Sequence, residues 1–166
     1  TVEAVAARAK VGNPTIYRYW PNAQALAMAA VMAQPLPRSD AQAPASEKPG
    51  SALEALRAQV RGVAATFKTR RGRQAAQLMA TAESDSELAK AFRNQVILAS
   101  REEGRALLVR AIKDGTLAKT LDAEIALDLI YGPLFYRLLA GHAPLDEAFA
   151  GAVVDLALSG LTDTPR

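Results

Sequence analysis

The chain has no cysteine, a single histidine, and only four Phe, four Tyr and one Trp among its 166 residues. Without cysteine there is no disulfide framework, no thiolate metal site and no Cys nucleophile, a composition that fits a reducing compartment. The lone His142 lies in the turn Ala-Gly-His-Ala-Pro, where a solvated or capping imidazole is expected rather than a metal ligand or catalytic base. No H-E-x-x-H, no G-x-S-x-G, no phosphate-cradling glycine loop and no EF-hand pattern occurs. The acidic pairs Glu102-Glu103 and Asp146-Glu147 are chain neighbours, so on a helix they point to different sides. Catalysis needs titratable groups that converge, and none do. No catalytic residue, metal or cofactor is assigned, and an enzyme is not expected. No apolar run approaches the length of a membrane span and no signal peptide opens the chain, so the expectation is a cytoplasmic protein without a membrane partner.

What is present is a hydrophobic half, rich in Ala and Leu, which predicts an all-α fold. The formal net charge is +3, and its distribution is informative. Residues 1–38 hold Arg8, Lys10, Arg18 and Arg38 against Glu3 alone, whereas basic and acidic residues balance over 39–166. The excess cation therefore sits at one end of the chain, the distribution that suits a polyanion.

That end, Thr1 to Ala33, reads as short helices joined by tight turns. Val2, Val5, Ala6 and Ala9 share one helical face, with Thr1 as N-cap and Glu3 in the first turn, where the helix dipole favours an acid. Lys10, Val11 and Gly12 break this helix. Asn13 is expected to cap the next, with Pro14 at its first position. Ile16 and Trp20 then face inward, while Pro14, Thr15, Tyr17 and Arg18 face out with no acid among them. Asn22 caps a third helix carrying Leu26, Ala29, Ala30 and Ala33. This is helix-turn-helix geometry, in which the second helix enters the DNA major groove.

The run TVEAVAARAKVGNPTIYRYWPNAQALAMAAV resembles the second to fourth helices of TetR-family transcriptional regulators. The resemblance implies a homodimer that binds double-stranded operator DNA through its N-terminal domain and a small-molecule effector through its C-terminal domain. It implies that Thr1 contacts phosphate, that Thr15 and Arg18 face the groove, that Tyr17 and Tyr19 touch the DNA backbone, and that Ile16, Trp20 and Leu26 form the core. The full candidate DNA-contacting set is Thr1, Lys10, Asn13, Pro14, Thr15, Tyr17, Arg18, Tyr19 and Asn22. The family usually has Gly where Lys10 stands, and Lys where Ala23 stands. Its first helix would precede Thr1, so Val5, Ile16 and Leu26 are expected to lack a partner and the segment to be loose.

Residues 34–50 contain Pro35, Pro37, Pro44 and Pro49 with Ser39, Asp40, Ser46 and Gly50, a linker that cannot be helical. It divides a DNA-binding segment, 1–33, from a domain over 51–166. Ser51-x-x-Glu54 is a capping box opening a helix through Leu53, Leu56, Val60, Val63 and Phe67. Lys68, Arg70, Arg71 and Arg73 form a basic knot at its end, either a solvated junction or a second phosphate patch. A helix with Ala75, Leu78, Met79 and Ala82 follows. Ser84-x-x-Glu87 is expected to open a long helix ending at Gly115, with a bend near Gly104.

The last two helices, Asp122 to Ala140 and Asp146 to Leu161, resemble the pair that forms the TetR-family dimer bundle. The resemblance puts Leu134, Leu138, Phe149, Val153, Leu156 and Gly160 at a dimer interface. Gly132-Pro133 should kink the first of them and open space. A ligand cavity is expected between the long helices, lined by Phe67, Met79, Phe92, Val96, Tyr131 and Phe135, with Tyr131 or Arg105 as its polar handle; taken singly, each of these also fits an ordinary core position. The function expected is a ligand-responsive repressor. The alternative is a dimeric helical sensor or interaction module without useful DNA binding, suggested by Lys10 and Ala23.

Overall fold

The computed structural model describes residues 1–33, 51–81 and 86–159. Among these residues every regular element is helical. The order is α1 (Val2–Ala9), α2 (Asn13–Tyr17), α3 (Ala23–Met32), α4 (Ala52–Lys68), α5 (Arg70–Thr81), α6 (Glu87–Arg93), α7 (Ala99–Lys113), α8 (Ala123–Ala140) and α9 (Glu147–Ser159). The linker expected over 34–50 and the Ser84 cap lie outside the described residues.

Helix α4 is the axle of the larger body. Its N-terminus closes as the capping box, Ser51 Oγ accepting from Glu54 N at 3.2 Å and Ser51 N donating to Glu54 Oε2 at 3.0 Å. Leu56, Val60, Val63 and Phe67 are buried along one face and meet Leu107 and Leu108 of α7, Ile130 and Leu134 of α8, and Val154 and Leu158 of α9. Ion pairs on the rim add orientation: Arg57 reaches Asp155 at 2.7 Å, and Arg101 bridges Glu124 and Asp128 from α7 to α8. The acidic partners of these pairs are exposed to solvent, so the apolar core carries most of the stability.

Several boundaries differ from the sequence reading. Gly12, not Asn13, is the N-cap of α2, and no side-chain bond forms there. Ser86 caps α6 by accepting from Ala89 N at 3.1 Å, so the helix begins two residues later than a Ser84 cap would place it. The knot of Lys68, Arg70, Arg71 and Arg73 breaks only at Thr69, and α5 resumes at once. The irregularity expected at Gly104 sits earlier, as a π-helical turn at Asn94–Leu98. Gly104 instead admits the ring of Tyr131, whose hydroxyl would overlap any Cβ placed there. Gly115 ends α7 as expected, at φ 76°, with Thr116 N donating back to Ala111 O at 2.9 Å.

The small N-terminal cluster joins Val2, Ala6 and Ile16 with Trp20 and Leu26 packed against it. Ile16 is therefore covered, contrary to the expectation that it lacks a partner, although Val5 and Val11 remain exposed. Helix α3 belongs to both bodies. Leu26 faces the small cluster, while Met28, Val31 and Met32 pack with the large core.

Candidate functional site

At the N-terminal end, α1 and α2 form a compact helix-turn-helix. Thr1 Oγ1 accepts from Ala4 N at 3.3 Å. The turn after α1 needs a left-handed residue, and Lys10 supplies it at φ 57°, ψ 38°. Val11 N then donates to Ala6 O at 3.1 Å, which reverses the chain into α2. The helical path continues past Tyr17, because Arg18 N donates to Pro14 O at 3.0 Å and Trp20 N to Ile16 O at 2.9 Å. Ile16 is the one fully buried side chain on α2, so the rest of its surface faces solvent.

That surface brings Asn13, Pro14, Thr15, Tyr17, Arg18 and Tyr19 together, all exposed. The Arg18 guanidinium lies 5.9 Å from the Tyr19 ring centroid, and the Tyr19 and Trp20 rings are 5.8 Å apart. Besides Thr1, two more expected DNA contacts already have partners. The Tyr17 hydroxyl donates to Glu3 Oε1 at 3.3 Å, and the Asn22 side-chain oxygen caps α3 by accepting from Ala25 N at 2.8 Å. The Glu3 charge pushes the Tyr17 phenol above its usual range, while backbone hydrogen bonding holds the Glu3 carboxyl below its own. Ala23 is exposed at the first position of α3, where it offers no cation.

Several of the residues expected to line a cavity are packed into the core or paired. Phe92 is fully buried in the core, and Met79 is half-buried against it. The Tyr131 hydroxyl donates toward Gln59 Oε1 at 2.6 Å and lies 2.9 Å from Ser100 O, while Gln59 Nε2 donates to Ser100 O at 3.0 Å. A buried triad of this kind satisfies its own members, so Tyr131 is a structural link between α4, α7 and α8 rather than a free ligand handle. Burial raises the Tyr131 phenol far above its ordinary value. Arg105 is also taken up, paired with Glu102 at 3.0 Å and with Glu124. The side chain of Val96 lies outside the described residues.

A cavity of 420 Å³ lies elsewhere, between the end of α4, one face of α5 and the α8–α9 turn. Of the residues named from sequence, Phe67 lines it, with Phe135 packed edge-on behind at 5.7 Å between centroids. Leu138, expected at a dimer interface, lines this cavity. Lys68, Arg73 and Arg137 also line it. A second cavity, of 450 Å³, separates α5 from α3 and is lined by Ala27, Val31, Gln74, Gln77, Leu78 and Thr81. The sequence did hold a signal for the first cavity, the basic knot at residues 68–73, which leads into its wall.

The other dimer candidates divide. Leu134 and Val153 are buried inside their own chain, and Phe149 lies under the Arg137 guanidinium at 3.4 Å from its ring centroid. These three pack within the chain, Leu134 and Val153 in its core and Phe149 half-buried beneath Arg137. Leu156 is 75% exposed, and Gly160 lies outside the described residues. The outward apolar stripe of α8 is Ile125, Leu129, Tyr136 and Leu139, at helical spacing.

The chain matches known families along most of its length. Residues 1–30 match the model for bacterial regulatory proteins of the tetR family, and residues 47–157 match the tetracyclin repressor-like C-terminal domain. The HTH-type transcriptional regulator YdeS of Bacillus subtilis (strain 168) is 30% identical over 164 residues, which cover 99% of this chain and 80% of YdeS. The crystal structure of the TetR family transcription regulator SCO0332 superposes with a TM-score of 0.64 at 30% identity, covering 97% of this chain and 86% of that one. No helix among the described residues is long and apolar enough to cross a membrane. With a capped helix-turn-helix at one end, a larger helical body behind it, and both halves matched to family models, this chain belongs to the TetR family of transcriptional regulators.

Proposed function

We propose that this chain is a dimeric repressor that leaves its operator when a small molecule fills the 420 Å³ cavity. Residues 1–33 read DNA, residues 51–166 bind the effector and dimerise, and 34–50 link them.

The observation that supports this reading is the double role of α5. Arg73, Ala76, Gln77 and Ala80 form one stripe, the cavity wall. Gln74, Gln77, Leu78 and Thr81 form the adjacent stripe, which faces α3 across the second cavity. Gln77 belongs to both, and Gln24 Nε2 of α3 donates to Thr81 Oγ1 at 3.1 Å. A ligand that displaces α5 therefore moves α3, and α3 follows α2 directly in the chain. Repression is relieved if the ligand prefers the arrangement in which the paired recognition helices are badly spaced for successive major grooves. Each 1.4 kcal/mol of that preference lowers operator affinity about tenfold.

Fluorescence anisotropy of the full-length protein on labelled DNA from its own upstream region, against scrambled DNA at two salt concentrations, tests the reading. Tight, sequence-dependent binding is expected. Arg18→Ala should abolish the sequence preference, and Ala23→Lys should tighten binding and steepen its log–log salt dependence by about 0.9. Weak binding, equal on both DNAs, would instead favour a sensor or interaction module. The exposed Ala23 and the Tyr17–Glu3 bond are the observations on that side.

A further inference from the structure

From the charges around the 420 Å³ cavity, we infer that its ligand is an organic anion: a carboxylate or similar acid carried on a compact apolar body. The inference rests on the effector reading above and names the chemical class that the cavity selects.

The apolar part of the site is provided by Phe67, Ala76, Ala80, Leu138, Leu139 and Leu145. Its volume falls within the roughly 300–1,000 Å³ of ordinary small-molecule pockets. Against this surface stand the cations Lys68, Arg73 and Arg137, and one acid, Asp146. The Asp146 carboxylate is held as the N-cap of α9, accepting from Phe149 N at 2.8 Å. Among the described residues, no carboxylate lies within ion-pair distance of Lys68, Arg73 or Arg137. On the same body Arg57, Arg101, Arg105 and Arg110 have acidic partners. Three cations without an acidic partner thus line this one cavity, while Arg61, Arg70, Lys113 and Lys119, which also lack an ion pair among the described residues, stand outside it.

Arg137 is also fixed in place. One face of its guanidinium rests on the Phe149 ring at 3.4 Å from the centroid, and Nη1 donates to Pro144 O at 2.8 Å. Its remaining N–H donors have no partner among the described residues. A guanidinium held by a ring and a carbonyl loses little freedom on binding and presents a planar fork that matches a carboxylate. Arg73 is anchored too, through Nη1 to Lys68 O, which sets the basic knot of residues 68–73 at the rim of the cavity. A neutral ligand would leave these cations as they are. An anion would complete them.

Isothermal titration of the full-length protein with three probes that share one ring system tests this: 2-naphthoate, 2-naphthalenemethanol and 2-naphthylmethylammonium. The expected result is that naphthoate binds at least tenfold tighter than the alcohol and that the ammonium does not bind. Lys68→Gln and Arg73→Gln, both at exposed positions, should each weaken naphthoate by roughly three- to tenfold and leave the alcohol unchanged. Equal affinity for acid and alcohol, naphthoate affinity indifferent to both variants, or no binding of any probe at millimolar concentration would overturn the inference. The operator assay separates this inference from the reading beneath it. If naphthoate binds with the expected cation dependence but DNA affinity does not change, the anion site stands and the effector reading falls. If the alcohol binds as well as the acid and releases DNA, the effector reading stands and the anion does not.

Discussion

At the scale of single residues, the most telling position is Lys10, because two requirements meet there. The turn between α1 and α2 needs a left-handed backbone, which a non-glycine residue adopts at a cost of about 1–2 kcal/mol, and the DNA-facing end needs cations. Lysine at φ 57° accepts the first cost to meet the second need. Lys10→Gly should therefore raise stability by about 1 kcal/mol, less than the full strain because glycine also gains freedom in the unfolded chain. The melting temperature should rise by about 2–4 °C, while the salt slope of DNA binding flattens by about 0.9. An unchanged melting temperature would mean that the left-handed turn carries no strain, and an unchanged slope that Lys10 stands away from phosphate. The Tyr131 triad gives a second residue-scale test. Tyr131→Phe removes a hydroxyl from Gln59 and Ser100 and should destabilise by about 1–3 kcal/mol in urea titration, while probe binding in the cavity stays as it was.

Helices were legible in the sequence wherever one stripe had one job. The Leu56, Val60, Val63, Phe67 stripe behind a Ser51 capping box specified α4 from its first residue, and Gly115 marked the end of α7. The recognition helix was legible because Pro14, Ile16 and Trp20 fix its start and its inner face. Where a helix serves several neighbours, periodicity stops discriminating. Helix α8 is apolar nearly all round, so Leu134, turned to the core, and Leu129, turned outward, look alike in sequence. The expected pocket residues were ambiguous for a related reason. Large side chains such as Phe92 and Tyr131 fill space as readily as they line it, and only the tertiary partners Gln59 and Ser100 decide which. Gly72 was likewise silent, yet a Cβ there would run into the Thr66 carbonyl and the Phe67 Cα of α4, both backbone. Gly72→Ala must pry α5 from α4 and should destabilise by roughly 1–3 kcal/mol. Since Phe67 lines the cavity at that crossing, probe affinity should fall together with the urea midpoint; a loss of stability with full probe affinity would place the cavity wall outside the strained contact.

At the scale of the whole molecule, the outward stripes of α8 and α9 have no cover among the described residues. Ile125, Leu129, Tyr136 and Leu139 lie on one face of α8, and Leu156 stands out from α9 beside the exposed Ala148 and Ala152. If the chain pairs through this apolar face, a two-fold pairing of α8 and α9 would set two recognition helices at a fixed separation. Operator affinity then depends on both halves binding as one unit, so an effect on pairing is amplified at the DNA. Leu156→Glu places a charge in that face without touching the core, because the side chain is already exposed. Sedimentation velocity should show a monomer with unchanged far-UV circular dichroism, and operator affinity should fall by about 100-fold or more as the half-sites lose their linkage. Leu139 ties this surface to the cavity, since it belongs to the outward stripe and to the lining alike. Linkage is reciprocal: if pairing shapes the cavity, the monomeric variant must bind 2-naphthoate with altered affinity, and the ligand must shift the monomer–dimer equilibrium by that factor for each occupied site. A dimer that persists in Leu156→Glu would put the interface elsewhere. A clean monomer with wild-type probe affinity would instead leave α5 and α3 as the sole route from ligand to DNA.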